Sequence, residues 1–381
     1  MKKILFVVDE RNTGGVSIVL ENIINSFPKI NFDILVLHNR GDRLTNLPNA
    51  NIIYGTKFFD VCDMRLSDLI KSKNILKVIK KLYFAFLLKT GLINKKIIKE
   101  RRKIFKNDNY DIEICFKDGF GTYFTAYGNS KKKIRWIHSD YSTNNPGEKY
   151  MKTYQEAINK YDRIVAISKF VGENFNKLFH REKDTEVIYN IIDTTKSLPT
   201  ERISKDSDKF ELVTVGRLCK EKGYSRVIEA FNRLNQENLL NDVIFKIVGG
   251  GPLEQELKDL VHKYNLNDKI IFLGPSTTPW NYLQNGDMFV LSSYTEAFPT
   301  TIIEALLNHI PVFSVEYVSA HEILNSKNAV VVKNTDEEIY NGLKNILQNK
   351  EKVLELKKNI LNYEYKNQES IKKISKLLGV K

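Results

Sequence analysis

Two glutamates eight residues apart, Glu296 and Glu304, bracket the stretch of this chain best suited to hold a ligand. The residues between and around them read Ser292-Ser293-Tyr294-Thr295-Glu296-Ala297-Phe298-Pro299-Thr300-Thr301-Ile302-Ile303-Glu304. An apolar run over 288–291 reads as a buried strand, and a polar loop carrying Glu296 follows it. Pro299 stands where a helix would start, a position proline tolerates because its missing N–H would find no intrahelical partner there. The helix continues over 300–308 with Glu304 inside it, and the N–H groups of Thr300, Thr301 and Ile302 point outward as an anion site requires. One carboxylate on the loop, one on the helix and an anion site between them suit a ligand with a phosphate at its middle and hydroxyls at both ends. A nucleotide-sugar is such a ligand. Acid/base carboxylates of a glycosidase must flank a bond inside a cleft, so binding roles fit this pair better than proton transfer.

Other residue groups could join that chemistry. Gly216-Arg217-Leu218 and, after a short gap, Lys222-Gly223 follow a strand. Their two cations could neutralise a diphosphate as its negative charge grows during bond breaking, or simply be solvated on a surface loop. Gly249-Gly250-Gly251-Pro252 could bring backbone near a ligand or form a tight strand-to-helix turn. Gly14-Gly15, ahead of a helix, could face phosphate. His138 ends a strand and could hydrogen-bond a sugar hydroxyl or steady the reacting centre; the alternative is a satisfied interface histidine. His309 and His321 read as structural, and Trp136 and Trp280 as packing.

The elements that must position these residues follow from hydrophobic periodicity. Strands are expected over 2–8, 32–37, 51–54, 111–116, 133–138, 163–167 and 185–189, then over 210–215, 243–248, 269–273, 288–291, 310–315 and 329–332. Helices fall between them, one opening at Ser168 as N-cap. Strand, glycine loop and helix thus occur near residue 2 and again near residue 210, with a polar linker over 194–208 that includes Pro199. The alternation implies an α/β chain with two doubly wound parallel sheets, in which ligands bind beyond the carboxyl ends of the strands. A helix carrying Tyr363, Tyr365, Ile371, Ile374 and Leu377 is expected over 362–378.

A length of 381 residues favours two domains. No signal-peptide pattern is apparent, and the longest apolar run, 82–88, is too short to span a bilayer. Cys62, Cys115 and Cys219 have neither metal-ligand nor redox spacing, so a cytoplasmic setting is expected. The net charge is +13, and residues 71–106 carry 13 Lys or Arg against the single acid Glu100. Ile75, Leu76, Ile79, Leu82 and Tyr83 share a helical face among these lysines. That pattern fits peripheral attachment to an anionic membrane surface, or a solvated helix pair whose apolar side is core. No nucleic-acid motif accompanies the charge, so nucleic acid is not expected as a partner.

Taken together, these pieces resemble the retaining nucleotide-sugar glycosyltransferases of family four, which have the GT-B fold. The resemblance rests on Gly14-Gly15, Trp136-Ile137-His138, Ile167-Ser168, the run from Val187 to Asp193, Val215-Gly216-Arg217-Leu218 with Lys222-Gly223, Val248-Gly249-Gly250-Gly251-Pro252, Phe272-Leu273-Gly274, the two glutamates, Pro311-Val312 and Glu322-Ile323-Leu324. It covers most of the C-terminal half and is sparser before that. It implies two Rossmann-like domains facing a central cleft: an acceptor-binding one over 1–195, a nucleotide-sugar-binding one over 209–361, and a tail over 362–381 crossing back to the first. Arg217 and Lys222 would bind the donor diphosphate, Glu296 the donor-sugar hydroxyls and Glu304 the ribose hydroxyls. The backbone around Pro299, Thr300 and Thr301 would contact phosphate. Gly216, Gly249 and Gly251 would line the donor site, and backbone at Leu273-Gly274 would meet the base. Gly14 and Gly15 would let the first domain close on the phosphates, and His138 would approach the donor sugar from the acceptor side. No metal or other cofactor is implied. The family often has glycine where Ala297 stands, and glycine before Pro-Val where this chain has Asn308-His309-Ile310. The implied partners are a UDP-sugar donor and a glycan or glycolipid acceptor in cell-surface polysaccharide assembly, on the inner face of the membrane. The alternatives are a non-catalytic nucleotide-sugar or glycan-binding subunit that keeps the fold, and a phosphorylase of the same fold, which would need a cofactor lysine and a longer chain.

Overall fold

The apolar runs form strands, and the strands form two parallel sheets. The computed structural model describes residues 2–10, 14–38, 41, 44, 47–62, 64, 66–143, 146–196, 198 and 208–380. One compact unit comprises Met1–Ile191 with Asn367–Lys381, the other Ile192–Lys366. Of the linker expected over 194–208, residues 197 and 199–207, Pro199 among them, lie outside the described residues.

The first unit holds β1 (Ile4–Val8), β2 (Phe32–Val36), β3 (Ala50–Tyr54), β4 (Ile112–Cys115), β5 (Lys132–Ile137), β6 (Arg163–Ala166) and β7 (Thr185–Val187). Their order is β3-β2-β1-β4-β5-β6-β7. All five residues of β1 are buried, which is why it reads as a continuous apolar run and not an alternating one. The second unit holds β8 (Phe210–Val215), β9 (Val243–Val248), β10 (Ile270–Gly274), β11 (Met288–Leu291), β12 (Val312–Val315) and β13 (Ala329–Val332), ordered β10-β9-β8-β11-β12-β13. Its core packs Leu212, Phe245, Val290 and Phe313 of the sheet with Ile228, Phe231 and Leu343 of the helices.

Both sheets wind outward to one side of their first strand and then return to fill the other. The winding reverses between β1 and β4 in one unit and between β8 and β11 in the other. The crevice outside the carboxyl ends of the strands at such a reversal is where doubly wound sheets bind ligands.

The basic segment forms two helices, Ile75–Thr90 and Ile93–Ile104, joined at Gly91 in the left-handed conformation (φ 71°). Arg101 turns inward from the second helix. Its guanidinium donates to both oxygens of buried Glu113 on β4, at 2.8 and 2.9 Å, and to Asp108 at 2.6 and 2.7 Å. This bidentate pairing offsets the cost of burying the cation and ties the helix to the sheet.

The last helix differs from expectation. It spans Asn367–Leu378, so Tyr363 and Tyr365 precede it and are not helical. The reason is topological: residues 362–366 are where the chain leaves the second unit, before the helix joins the first. The helix buries Ile374, Leu377 and Leu378. Lys2 Nζ and Lys132 Nζ donate to the carbonyls of Leu378 and Leu377, at 3.1 and 2.8 Å, cations placed at the negative end of the helix dipole.

Candidate functional site

In the second unit β8 and β11 are neighbours, with Met288 opposite Leu212, so the loops leaving their carboxyl ends emerge side by side. The β8 loop makes a 3-10 turn over Lys220–Lys222 and reaches Gly223, which has φ 64°. A Cβ at Gly223 would lie 2.4 Å from the carbonyl oxygen of Ser292, so only glycine permits both the backbone conformation and the approach of the two loops. The loops are stitched together. Ser292 Oγ donates to the Lys222 carbonyl at 3.0 Å, and Tyr294 N–H donates to the Glu221 carbonyl at 2.8 Å. As a result Lys222 Nζ donates to Glu296 Oε1 at 2.6 Å, across 74 residues of sequence. Ser293 Oγ donates to the same oxygen at 2.8 Å. Both contacts fall on Oε1, which leaves Oε2 to accept from a further donor.

Arg217 is exposed on the same β8 loop. The glycines beside it have a packing reason for their size. A Cβ on Gly249 would meet Gly216 O at 1.9 Å, one on Gly251 would meet Leu218 O at 2.4 Å, and one on Gly216 would meet Tyr224 Oη at 2.5 Å. Close approach of neighbouring backbone therefore fixes Gly249 and Gly251, and the Tyr224 side chain crowds Gly216, whether or not a ligand is present. Leu273 and Gly274 end β10, and Gly274 O accepts from Gly249 N–H at 2.8 Å.

The helix after the Glu296 loop spans Thr300–Leu307, with Pro299 as the extended residue immediately before it (φ −73°, ψ 111°). Thr300 and Thr301, in its first turn, keep part of their surface exposed. Their N–H groups are among those an α-helix cannot pair internally. Glu304 also keeps some surface, but its carboxyl lies in a desolvated position that pushes its pKa up to about 7. Burial is the cause, and no cation among the described residues opposes it. Such burial of a carboxyl without an opposite charge disfavours its ionised form.

In the first unit, Gly15 opens the helix Gly15–Asn25 and Gly14 precedes it in extended conformation, φ 174°. A Cβ on either would meet nothing within 4 Å, so neither packing nor backbone conformation requires glycine there, unlike Gly249 or Gly223. His138 follows β5. Its ring is buried against Phe116, with centroids 4.7 Å apart, and its Nε2 has no hydrogen-bond partner among the described residues. Burial lowers its pKa to about 4, although Asp118 opposes that shift, so the imidazole is neutral at neutral pH. Asp118 places it. One carboxylate oxygen accepts the His138 backbone N–H at 3.1 Å. The other accepts from Tyr141 Oη at 3.0 Å and from the fully buried Arg135 guanidinium. Neither Asp118 nor Arg135 stands out in the sequence, because a lone acid after a strand and an arginine within one have no spacing signature.

The basic helix Ile75–Thr90 has two apolar faces. Phe84 and Leu87 are buried against the unit. Ile75, Leu76, Ile79, Leu82, Tyr83 and Phe86 form a continuous stripe between 48 and 75% exposed. The apolar face, one of whose two readings was core, is therefore on the surface. No helix among the described residues is long and apolar enough to cross a membrane.

Comparison with known proteins accords with this architecture. Residues 13–196 match the family Glycosyltransferase Family 4, and residues 199–363 match the family Glycosyl transferases group 1. The chain is 30% identical over 206 residues to the uncharacterized glycosyltransferase MJ1059 of Methanocaldococcus jannaschii, an alignment covering 49% of each chain. It is 28% identical over 268 residues to the N-acetylgalactosamine-N,N'-diacetylbacillosaminyl-diphospho-undecaprenol 4-alpha-N-acetylgalactosaminyltransferase of Campylobacter jejuni, covering 65% of this chain and 70% of that one. A crystal structure of Anabaena Alr3699/HepE in complex with UDP and glucose superposes with a TM-score of 0.75 at 16% identity, over the whole of both chains. At that identity the likeness is one of fold.

The position of Glu304 has a measurable consequence. Its folded pKa of about 7 lies above the ordinary carboxyl value of 4.5. The folded state thus binds this proton more tightly than the unfolded chain, and a penalty on folding grows as pH rises from about 4.5 to 7 and is full above that. Glu304→Gln should therefore raise stability by about 3 kcal/mol at pH 8 and leave it unchanged at pH 4, measured by urea unfolding at the two pH values. A variant no more stable than wild type at pH 8 would mean that the carboxylate already has its partner.

Proposed function

The chain belongs to the family-four, group 1 glycosyl transferases, and from that premise we propose that it moves one sugar, with retained anomeric configuration, from a UDP-sugar to a hydroxyl of a growing, lipid-linked cell-surface glycan. The observation that carries this reading is the contact of Lys222 with Glu296 at the point where the second sheet reverses its winding. It joins a group suited to diphosphate and a group suited to sugar hydroxyls at the location where such sheets bind ligands.

In this reading Arg217 and Lys222 take the donor diphosphate, together with the N–H groups at the start of the helix Thr300–Leu307. Glu304 accepts from the ribose hydroxyls, Glu296 from hydroxyls of the transferred sugar, and the Leu273-Gly274 backbone meets the base. Gly14 and Gly15 offer bare backbone to phosphate, and His138 offers a neutral imidazole to a sugar hydroxyl. During transfer the bond from the anomeric carbon to the β-phosphate oxygen breaks, and the acceptor oxygen bonds to the same face of that carbon. The departing phosphate takes the acceptor proton. The fixed cations and helix-start N–H groups stabilise the charge that builds up on the nucleotide, so the step calls for no metal.

The UDP assignment draws on the Anabaena structure, which holds UDP and glucose. The lipid-linked acceptor draws on the Campylobacter transferase, whose name specifies a diphospho-undecaprenol substrate. It also accounts for the exposed apolar stripe of the helix Ile75–Thr90, set among lysines on the first unit. Such a face suits peripheral attachment to an anionic bilayer, with the apolar side chains at the acyl boundary and the lysines among the headgroups.

Incubated with a panel of UDP-sugars, the protein should release UDP slowly from its donor without acceptor. Lys222→Ala should reduce that rate by about 100-fold or more, and EDTA should leave the wild-type rate unchanged. Undiminished release by the variant would overturn the assigned role of Lys222, and loss of release with EDTA would overturn the metal-free step. The membrane reading has a separate test. Co-sedimentation with vesicles containing phosphatidylglycerol should exceed that with pure phosphatidylcholine, and a Leu76→Ser/Phe86→Ser double variant should lose most of it. Equal binding by wild type and variant would dispose of the stripe as a membrane contact.

A further inference from the structure

The loop bearing Glu296 is held in place by two side chains that the roles above leave out, Asn334 and Arg226. Asn334 lies just beyond β13 and Arg226 in the first turn of the helix Tyr224–Gln236. Arg226 is 3% exposed. Its Nη1 donates to Ser292 O at 3.1 Å and to Asn334 Oδ1 at 2.6 Å, its Nε donates to Asp336 Oδ1 at 2.6 Å, and its guanidinium stacks 4.6 Å from the Tyr294 ring centroid. With its oxygen committed to Arg226, the Asn334 amide turns its NH₂ group the other way. That group donates to Ser293 O at 3.2 Å, Tyr294 O at 3.2 Å and Glu316 O at 3.1 Å. The reverse orientation would set two donors against each other, so the network itself fixes the amide.

Three successive carbonyls, of Ser292, Ser293 and Tyr294, are thus gripped from one side. From the other side the same loop is tied to the β8 loop through Ser292 Oγ and Tyr294 N–H. No side chain in this grip is one assigned to the donor. What it governs is the separation of Lys222 and Glu296, because the loop has no regular secondary structure of its own between β11 and the helix Thr300–Leu307. Two loops that must together receive a diphosphate and its sugar need their backbones held in register, so that the Lys222 side chain can turn to the phosphate while Glu296 stays in place, and a loop alone does not provide that.

We infer that Asn334, oriented by Arg226, is a positioning residue for the diphosphate and sugar end of the donor and is without effect on the nucleoside end. The inference rests on the reading of this site given above. Its test compares UDP with UMP. UDP reaches the Lys222 region through its β-phosphate, whereas UMP is held only by the parts of the site around Glu304, Leu273 and the first phosphate.

Titration calorimetry of the full-length protein should show UDP binding weakened about tenfold in Asn334→Ala, with UMP binding unchanged. Asn334→Asp keeps the oxygen facing Arg226 but loses the NH₂ donors, and should behave in the same way. It serves as the second variant if the alanine form melts well below wild type. Equal loss for UDP and UMP would mark Asn334 as a general structural residue and overturn the inference, as would unchanged UDP binding. Failure of the wild-type protein to bind either nucleotide would remove the site reading and the inference with it.

Discussion

The structure depends on how charge is held at the reversal point of the second sheet. A site for a diphosphate must concentrate positive charge beside backbone N–H groups, and it must do so before the ligand arrives. Here the Lys222 ammonium is paired with the Glu296 carboxylate at 2.6 Å, both only partly exposed. Such a pair limits the desolvation cost of either charge alone. Eight residues further on, Glu304 is treated in the opposite way, since its carboxyl is desolvated and given no cation. One acid is compensated from within the protein, while the other is desolvated without a compensating cation among the described residues, at a cost in stability. The contrast is what supports giving the two glutamates different partners in the proposed function.

That arrangement requires the backbones of two loops to come closer than side chains allow. Gly223 meets Ser292 O, and Gly249 and Gly251 meet the carbonyls of the β8 loop. The parallel order β9-β8-β11 sets the loops next to one another, the glycines let them touch, and hydrogen bonds from Ser292 and Tyr294 lock the contact. The first unit repeats the topology with different chemistry. There the strands at the reversal are β1 and β4, and the next strand, β5, ends in a neutral buried imidazole, placed by the acid Asp118 after β4, which is itself neutralised by a buried arginine.

Much of this was legible in the sequence, for identifiable reasons. The thirteen strands fall within a residue or two of the apolar runs expected, because strands covered on both faces need continuous apolar sequence and little else produces runs of that length. Glu296, Glu304, Arg217 and Lys222 stood out because each follows a strand at the right distance. Other features had no local signal. The buried helix Gly121–Ala126 is too short to show a period. Tyr363 and Tyr365 fit a helical pattern but lie where the chain passes between units. Arg226 and Asn334 are 108 residues apart and of types common on surfaces; only the fold reveals that both grip one loop. The amphipathic pattern of the basic segment was plain, but whether its apolar stripe faced core or solvent depended on which residues, Phe84 and Leu87, the sheet would take instead.

The most direct test of the central claim is a crystal structure of the protein soaked with UDP. The diphosphate should lie between Lys222 and the first turn of the helix Thr300–Leu307, with the ribose hydroxyls on Glu304 and Lys222 drawn from Glu296 toward the phosphate. UDP bound elsewhere, or bound with the Lys222–Glu296 pair intact and Glu304 still without a partner, would contradict the account.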